Sequence, residues 1–135
     1  MGRRHDARER ALKELYRLEI TGDDWVAPKG DATFTPFAAS LVETVTAREK
    51  EIDALLSETV EHWSLERLAL LDKLILRLGV AELLFLPETP PKVVIDEAVE
   101  IAKKFSTEKS GPFVNGVLDR IWKQHTPGDA REGTA

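Results

Sequence analysis

The chain of 135 residues contains no cysteine. That one absence excludes disulfides, thiol nucleophiles, Cys-ligated zinc and Cys-held iron–sulfur clusters. Histidine is scarce: His5, His62 and His125 fall in separate elements, without the HExxH-type spacing a metal needs, so no metal site is expected. The eight glycines are scattered and form no phosphate-cradling loop, and no GxSxG elbow occurs. Adjacent carboxylates such as Asp96 and Glu97 point in different directions from a helix and cannot converge as an acid–base pair. No catalytic residue and no cofactor is therefore expected. Apolar runs last only a few residues, too short to span a membrane. The start, MGRRHDARER, lacks the apolar core of an export signal, so a cytoplasmic protein is expected.

What is present is an ordinary soluble composition, 42% hydrophobic and 32% charged. The length suffices for one compact domain or two small halves sharing a core, with no metal or disulfide staple required. The net charge of −5 hides an asymmetry: residues 1–20 carry +2 and residues 101–125 carry +3, whereas 21–62 carry −6 and 63–100 carry −3. If folding brings the two basic ends together they form one positive patch, with salt-dependent attraction for polyanions. On composition alone, such charges read as solvated helix faces.

Helical patterning runs through almost the whole chain. Ala7, Ala11, Leu12, Leu15 and Leu18 make an apolar stripe over 3–20. Arg4 and Arg8 project beside that stripe, so each borders the core or a partner; for Arg8 the choice is a partly buried ion pair or a positioned phosphate contact. Gly22, Asp23, Asp24, Pro28, Gly30 and Asp31 mark a loop, with Trp25 packing back on the domain. A long pattern from 34 to 62 starts with Thr35 as N-cap before Pro36, and its polar stretch Thr46–Glu51 is a candidate break. Ser64 and Arg67 open a short segment. Residues 70–86 are apolar on most sides and predict the central helix. Thr89 is the expected cap of a helix over 91–105, and Ser110 of the last helix, whose stripe is Val114, Val117, Leu118 and Ile121. The polar tail TPGDAREGTA is expected to be disordered. No segment alternates with period two, so the expected fold is all-α, with about seven helices.

Two choices resist a purely structural reading. Asn115 and Gly116 interrupt an apolar helix although both are mediocre helix formers. Gly116 would admit a neighbouring helix, and Asn115 would satisfy a loop or a partner. Phe113, beside Lys109 at the start of the helix, is either core or a stacking platform for a base.

The start RRHDARERALKELY, the centre LDKLILRLGVAELL and the run PPKVVIDEAVEIAKKFSTEKSGPFVNGVLDRI, in that order, resemble the NusB family of bacterial transcription antitermination factors. The resemblance spans about residues 3–123, and its most specific part is 90–121, with the double proline and FVNGVLD. It implies two packed helical subdomains, here 1–62 and 63–125, followed by the tail 126–135. It implies binding, without catalysis, to single-stranded boxA RNA of ribosomal RNA leaders, together with the small-subunit ribosomal protein NusE, within the RNA polymerase antitermination complex. Homodimers through the arginine-bearing face are also possible in the family. By position, Arg3, Arg4 and Arg8 match its arginine-rich RNA-binding start. Lys109, Ser110 and Phe113 match the other side of the RNA groove. Tyr16 and Asp72 match positions facing the ribosomal partner, with Arg77 beyond Asp72. Three departures stand out: His5 and Asp6 where further basic residues are common, Ala81 where an aromatic is common before Glu82, and Asp96 for a common Asn. Two rival readings are an RNA-targeting accessory domain, such as precedes some RNA cytosine methyltransferases, and a helical adaptor that binds only proteins. The RNA reading expects the first and last helices to pool their cations with Phe113 in a shared groove; Arg4 and Phe113 on opposite poles would overturn it.

Overall fold

A computed structural model describes residues 3–60 and 67–125. Six α-helices and no strand occur among them: α1 (Arg3–Thr21), α2 (Pro36–Ala47), α3 (Glu49–Thr59), α4 (Leu70–Phe85), α5 (Pro91–Phe105) and α6 (Ser110–His125). The all-α class is as expected, with one helix fewer than the predicted seven. Ser64, the expected division at 62/63, and the tail lie outside the described residues.

The break in the 34–62 pattern falls inside the polar stretch that signalled it. At Arg48 the backbone leaves helical geometry, its N–H still donating to the Thr44 carbonyl and its carbonyl accepting from Ile52. Thr35 caps α2 as expected, its Oγ1 accepting from the Ala38 N–H at 3.2 Å with Pro36 in the first turn. Two other expected caps are different. Pro90, not Thr89, precedes α5; its side chain has no acceptor to cap the helix, and the Thr89 hydroxyl instead accepts from Arg4. Ser110 lies within α6, and Thr107 Oγ1 accepts from its N–H at 3.2 Å. Gly22, in the left-handed region at φ 77°, donates to the Leu18 carbonyl at the end of α1, a geometry that glycine adopts without strain.

α4 is the central helix: every residue from Leu74 to Leu83 is buried, including Arg77 and Glu82. α1, α2, α3, α5 and α6 all pack against it, and one hydrophobic cluster runs through all six helices. The close helix approach is at Gly79, where an added Cβ would stand 2.6 Å from a Leu118 methyl. Gly116, expected to fill that role, faces open space. Trp25 packs back through its ring on Phe34, centroids 5.3 Å apart.

α1 and α6 do not lie side by side. α1 packs on α2 and α4, and α6 packs on α5, α4 and α3. α5 touches both: Glu97 and Lys104 pair with His5 and Glu9 of α1, and α6 packs along it.

Candidate functional site

The first turn of α1 presents Arg3 and Arg4. Arg3 is exposed, at the rim of an open cleft of about 610 Å³ that also includes Arg10, Lys13, Thr33 and Thr35. Arg4 lies over the Phe37 ring, its Cζ 4.0 Å from the centroid, and donates to Thr89 Oγ1 at 3.2 Å and Glu88 Oε1 at 3.4 Å. Its side chain stays 48% exposed, so the stack sets its direction while donors remain open to an incoming anion.

Arg8, one turn on, is different. It is buried, and its Nε and Nη2 donate to the two Glu82 oxygens at 2.8 and 2.6 Å. Nη1 stands 3.7 Å from Glu97. Of the two readings open for Arg8, the geometry is that of a buried, bidentate ion pair. The signal was Glu82, a carboxylate set among apolar residues in the second half of α4. Phe37, which supports both guanidiniums, had no sequence signal beyond its apolar character.

At the other end of α5, a cleft of about 350 Å³ is formed by Arg67, Leu68, Ala69, Asp72, Thr107, Lys109, Ser110 and Phe113. Phe113 is half-buried and Lys109 exposed. Ser110 is buried, and its Oγ donates to Ser106 Oγ at 3.1 Å, which donates to Asp72 at 2.7 Å. This relay ties the start of α6 to the start of α4. It places Asp72, predicted on the protein-partner face, in the same cleft as the predicted RNA residues.

Arg4 and Phe113 therefore do not share a pocket. Arg4 meets Thr89 just before α5, and Phe113 follows the chain after its end. The first turn of α6 lies against the second half of α5, where an added Cβ at Gly111 would stand 3.3 Å from Lys103 and 3.4 Å from Val99, whereas Arg4 meets the turn before the first residue of α5. Arg4 and Phe113 thus flank α5 from different sides, Arg4 near its start and Phe113 near its second half. Lys104 lies on α5, its Nζ donating to Glu9 at 3.0 Å.

Tyr16 is exposed on α1, with Ile20 one turn further. Arg77 does not share a face with Asp72: five residues along a helix turn a side chain by about 140°. It is buried instead among Asp53, which it meets in two bonds of 2.8 and 2.9 Å, Glu49 at 3.6 Å and Glu19 at 3.9 Å. Asn115 is exposed beside Gly116. No group of acidic and histidine side chains suited to a metal occurs among the described residues. No helix among them is long and apolar enough to cross a membrane.

Comparison with known proteins decides the lineage. The model of the NusB family matches residues 5–123. The chain belongs to the NusB family. The transcription antitermination protein NusB of Myxococcus xanthus is 42% identical, over 90% of this chain and 95% of the relative. That of Saccharopolyspora erythraea is 44% identical, over 90% and 87%. Among solved structures, T. maritima NusB superposes with a TM-score of 0.83 at 37% identity, covering 98% of each chain. A structure of NusB and NusE in complex with double-stranded RNA gives 0.78 at 35% identity, over 93% of this chain and 99% of that one. The all-helical NusB fold is thus shared along nearly the full length.

Proposed function

We propose that this chain is a transcription antitermination factor acting in the cytoplasm by binding alone, without catalysis. It binds boxA-type RNA of ribosomal RNA leaders jointly with the ribosomal protein NusE, within the RNA polymerase antitermination complex. The observation that carries this reading is the pair of features flanking α5: the part-exposed Arg4 guanidinium at its start, with Arg3 exposed beside it on α1, and a half-buried ring with a lysine at Phe113 and Lys109. The arginines engage phosphates, which sets register and salt dependence but little sequence choice. Phe113 stacks an unpaired base, which favours a splayed single strand over a duplex. The solved NusB–NusE relative contains double-stranded RNA, so strandedness is a variable to test.

Arg8 and Ser110 serve this surface from within. The first fixes α1 on α4 through Glu82, and the second fixes Phe113's helix through the Ser106–Asp72 relay. Tyr16 and Asp72 face NusE. Arg77 contributes by holding Glu19, Glu49 and Asp53 in an acidic cluster, not by a contact of its own buried guanidinium. The acidic middle of the chain steers a basic ribosomal protein and repels RNA from the wrong face.

The test is fluorescence anisotropy of boxA-type single-stranded RNA, its duplex and a scrambled strand, across a salt series, with and without NusE. Tighter binding to the single-stranded boxA sequence is expected, strengthened by NusE. Phe113→Ala should cost about 1–3 kcal/mol on that strand. Arg3→Ala with Arg4→Ala should flatten the salt slope by about 1.4. Equal affinity for boxA and scrambled strands, unchanged by NusE, would refute the reading.

A further inference from the structure

The joint between α1 and α5 is made by charged side chains rather than by close helix packing, since α1 buries its apolar stripe on α2 and α4. At its centre is His5, where the family resemblance led us to expect another cation. Its Nδ1 lies 2.7 Å from Glu97 Oε1 on α5, and its Nε2 lies 2.9 Å from Glu9 Oε2 one turn along α1. A ring with a carboxylate on each nitrogen is fully satisfied only as the doubly protonated imidazolium. The neutral ring donates to one carboxylate and turns a lone pair toward the other. We propose that His5 is a positioning residue: when charged, it latches the arginine-bearing first turn of α1 onto α5, and it makes RNA binding by this chain pH-dependent. The inference rests on the RNA-binding reading above and names a regulation of that same site.

The groups facing His5 and the seam around it make its charge decisive. On α1 these are Glu9, Arg8 and Arg4; on α5, Glu97 and Lys104. α4 contributes Glu82, already held by Arg8, and the turn before α5 contributes Glu88, held by Arg4. With His5 charged, four cations face four carboxylates. With His5 neutral, one carboxylate is in excess beside the arginines that would meet phosphate. Hydrogen bonding to Glu97 raises the pKa of His5 above its ordinary 6.5; partial burial opposes this, and the charges of Glu97 and Glu9 add to it. The latch is therefore complete below the ordinary value and is lost as pH rises through the raised one. Its side chain remains 28% exposed, so it exchanges protons with solvent and the effect is moderate.

Two measurements test it on the full chain. NMR titration of the His5 ring, with thermal melts across pH, reads the latch without RNA. RNA affinity at fixed ionic strength, from about pH 6 to pH 8.5, reads its consequence. The parent chain should weaken about threefold over that range, as expected for one partly exposed ion pair. His5→Arg should bind tightly with no pH slope, and His5→Gln weakly with none. Glu97→Gln, which keeps the ring, should lower the His5 pKa and shift the slope to lower pH. A parent slope that persists in His5→Gln, or a His5 titrating at or below its ordinary value, would overturn the proposal. Absence of RNA binding at every pH would defeat the RNA-binding reading, while the ring titration still judges the latch.

Discussion

The Arg8–Glu82 pair offers a sharp quantitative prediction. Both side chains are almost wholly buried, at 7% and 3% exposure, and joined by two bonds below 3 Å. Glu82→Leu would leave a guanidinium buried against Phe37, with Glu97 at 3.7 Å as its nearest remaining carboxylate. Breaking a buried pair from one side costs about 3–5 kcal/mol, because the surviving charge is desolvated and unpaired. Replacing both by apolar groups of similar volume removes the unpaired charge, so Arg8→Met with Glu82→Leu should recover most of that loss. Urea denaturation of the four proteins of this cycle is the assay, with RNA affinity measured on each. The expected pattern is a severe loss in either single variant, near-parent stability in the double variant, and RNA affinity that follows stability. Single variants within about 1 kcal/mol of the parent would refute the buried-pair argument. A double variant that is stable but has lost RNA binding would show Arg8 itself to be a phosphate ligand.

Gly79→Ala should destabilise the fold by about 1–2 kcal/mol, as the clash with Leu118 outweighs the gain in helix propensity; an unchanged urea midpoint would count against the close approach of α4 and α6. Gly116→Ala, which faces open space, should stabilise by up to about 1 kcal/mol in the same assay. Tyr16→Ala should weaken NusE binding by about 1–2 kcal/mol by calorimetry and leave the melting temperature within a few degrees, because the ring is 44% exposed.

Much of the fold was legible in periodicity and turn chemistry. The apolar stripes of α1 and α5, the all-round apolar character of α4 and the polar interruption near Arg48 are local signals, and each marks its element closely. The capping errors at Thr89 and Ser110 share one cause. The residue preceding each helix stands one position away from the hydroxyl that suggested it, and the hydroxyls are bonded to Arg4 and to Thr107 instead, which propensity does not register. The candidate site was legible as a set of residues, not as a surface. Arg4 and Phe113 were expected in one groove, yet Arg4 is drawn to Thr89 and Glu88 before α5 while Phe113 lines a cleft with Arg67 and Asp72. Asp72 and Arg77 were expected near each other, yet helix geometry turns them apart.

By itself, then, the sequence determined that the chain is helical, where most helices begin and end, which faces are buried and that the two ends are basic. These follow from interactions within a turn or two of helix. Tertiary structure alone decided that Arg8 is consumed by Glu82, that Asp72 joins Phe113's cleft and that His5 sits between two carboxylates. Each depends on side chains 34 to 92 positions apart, or on helices brought together only by the shared core. No local pattern encodes which charge meets which across a helix joint, because that pairing is fixed by packing and then by electrostatics.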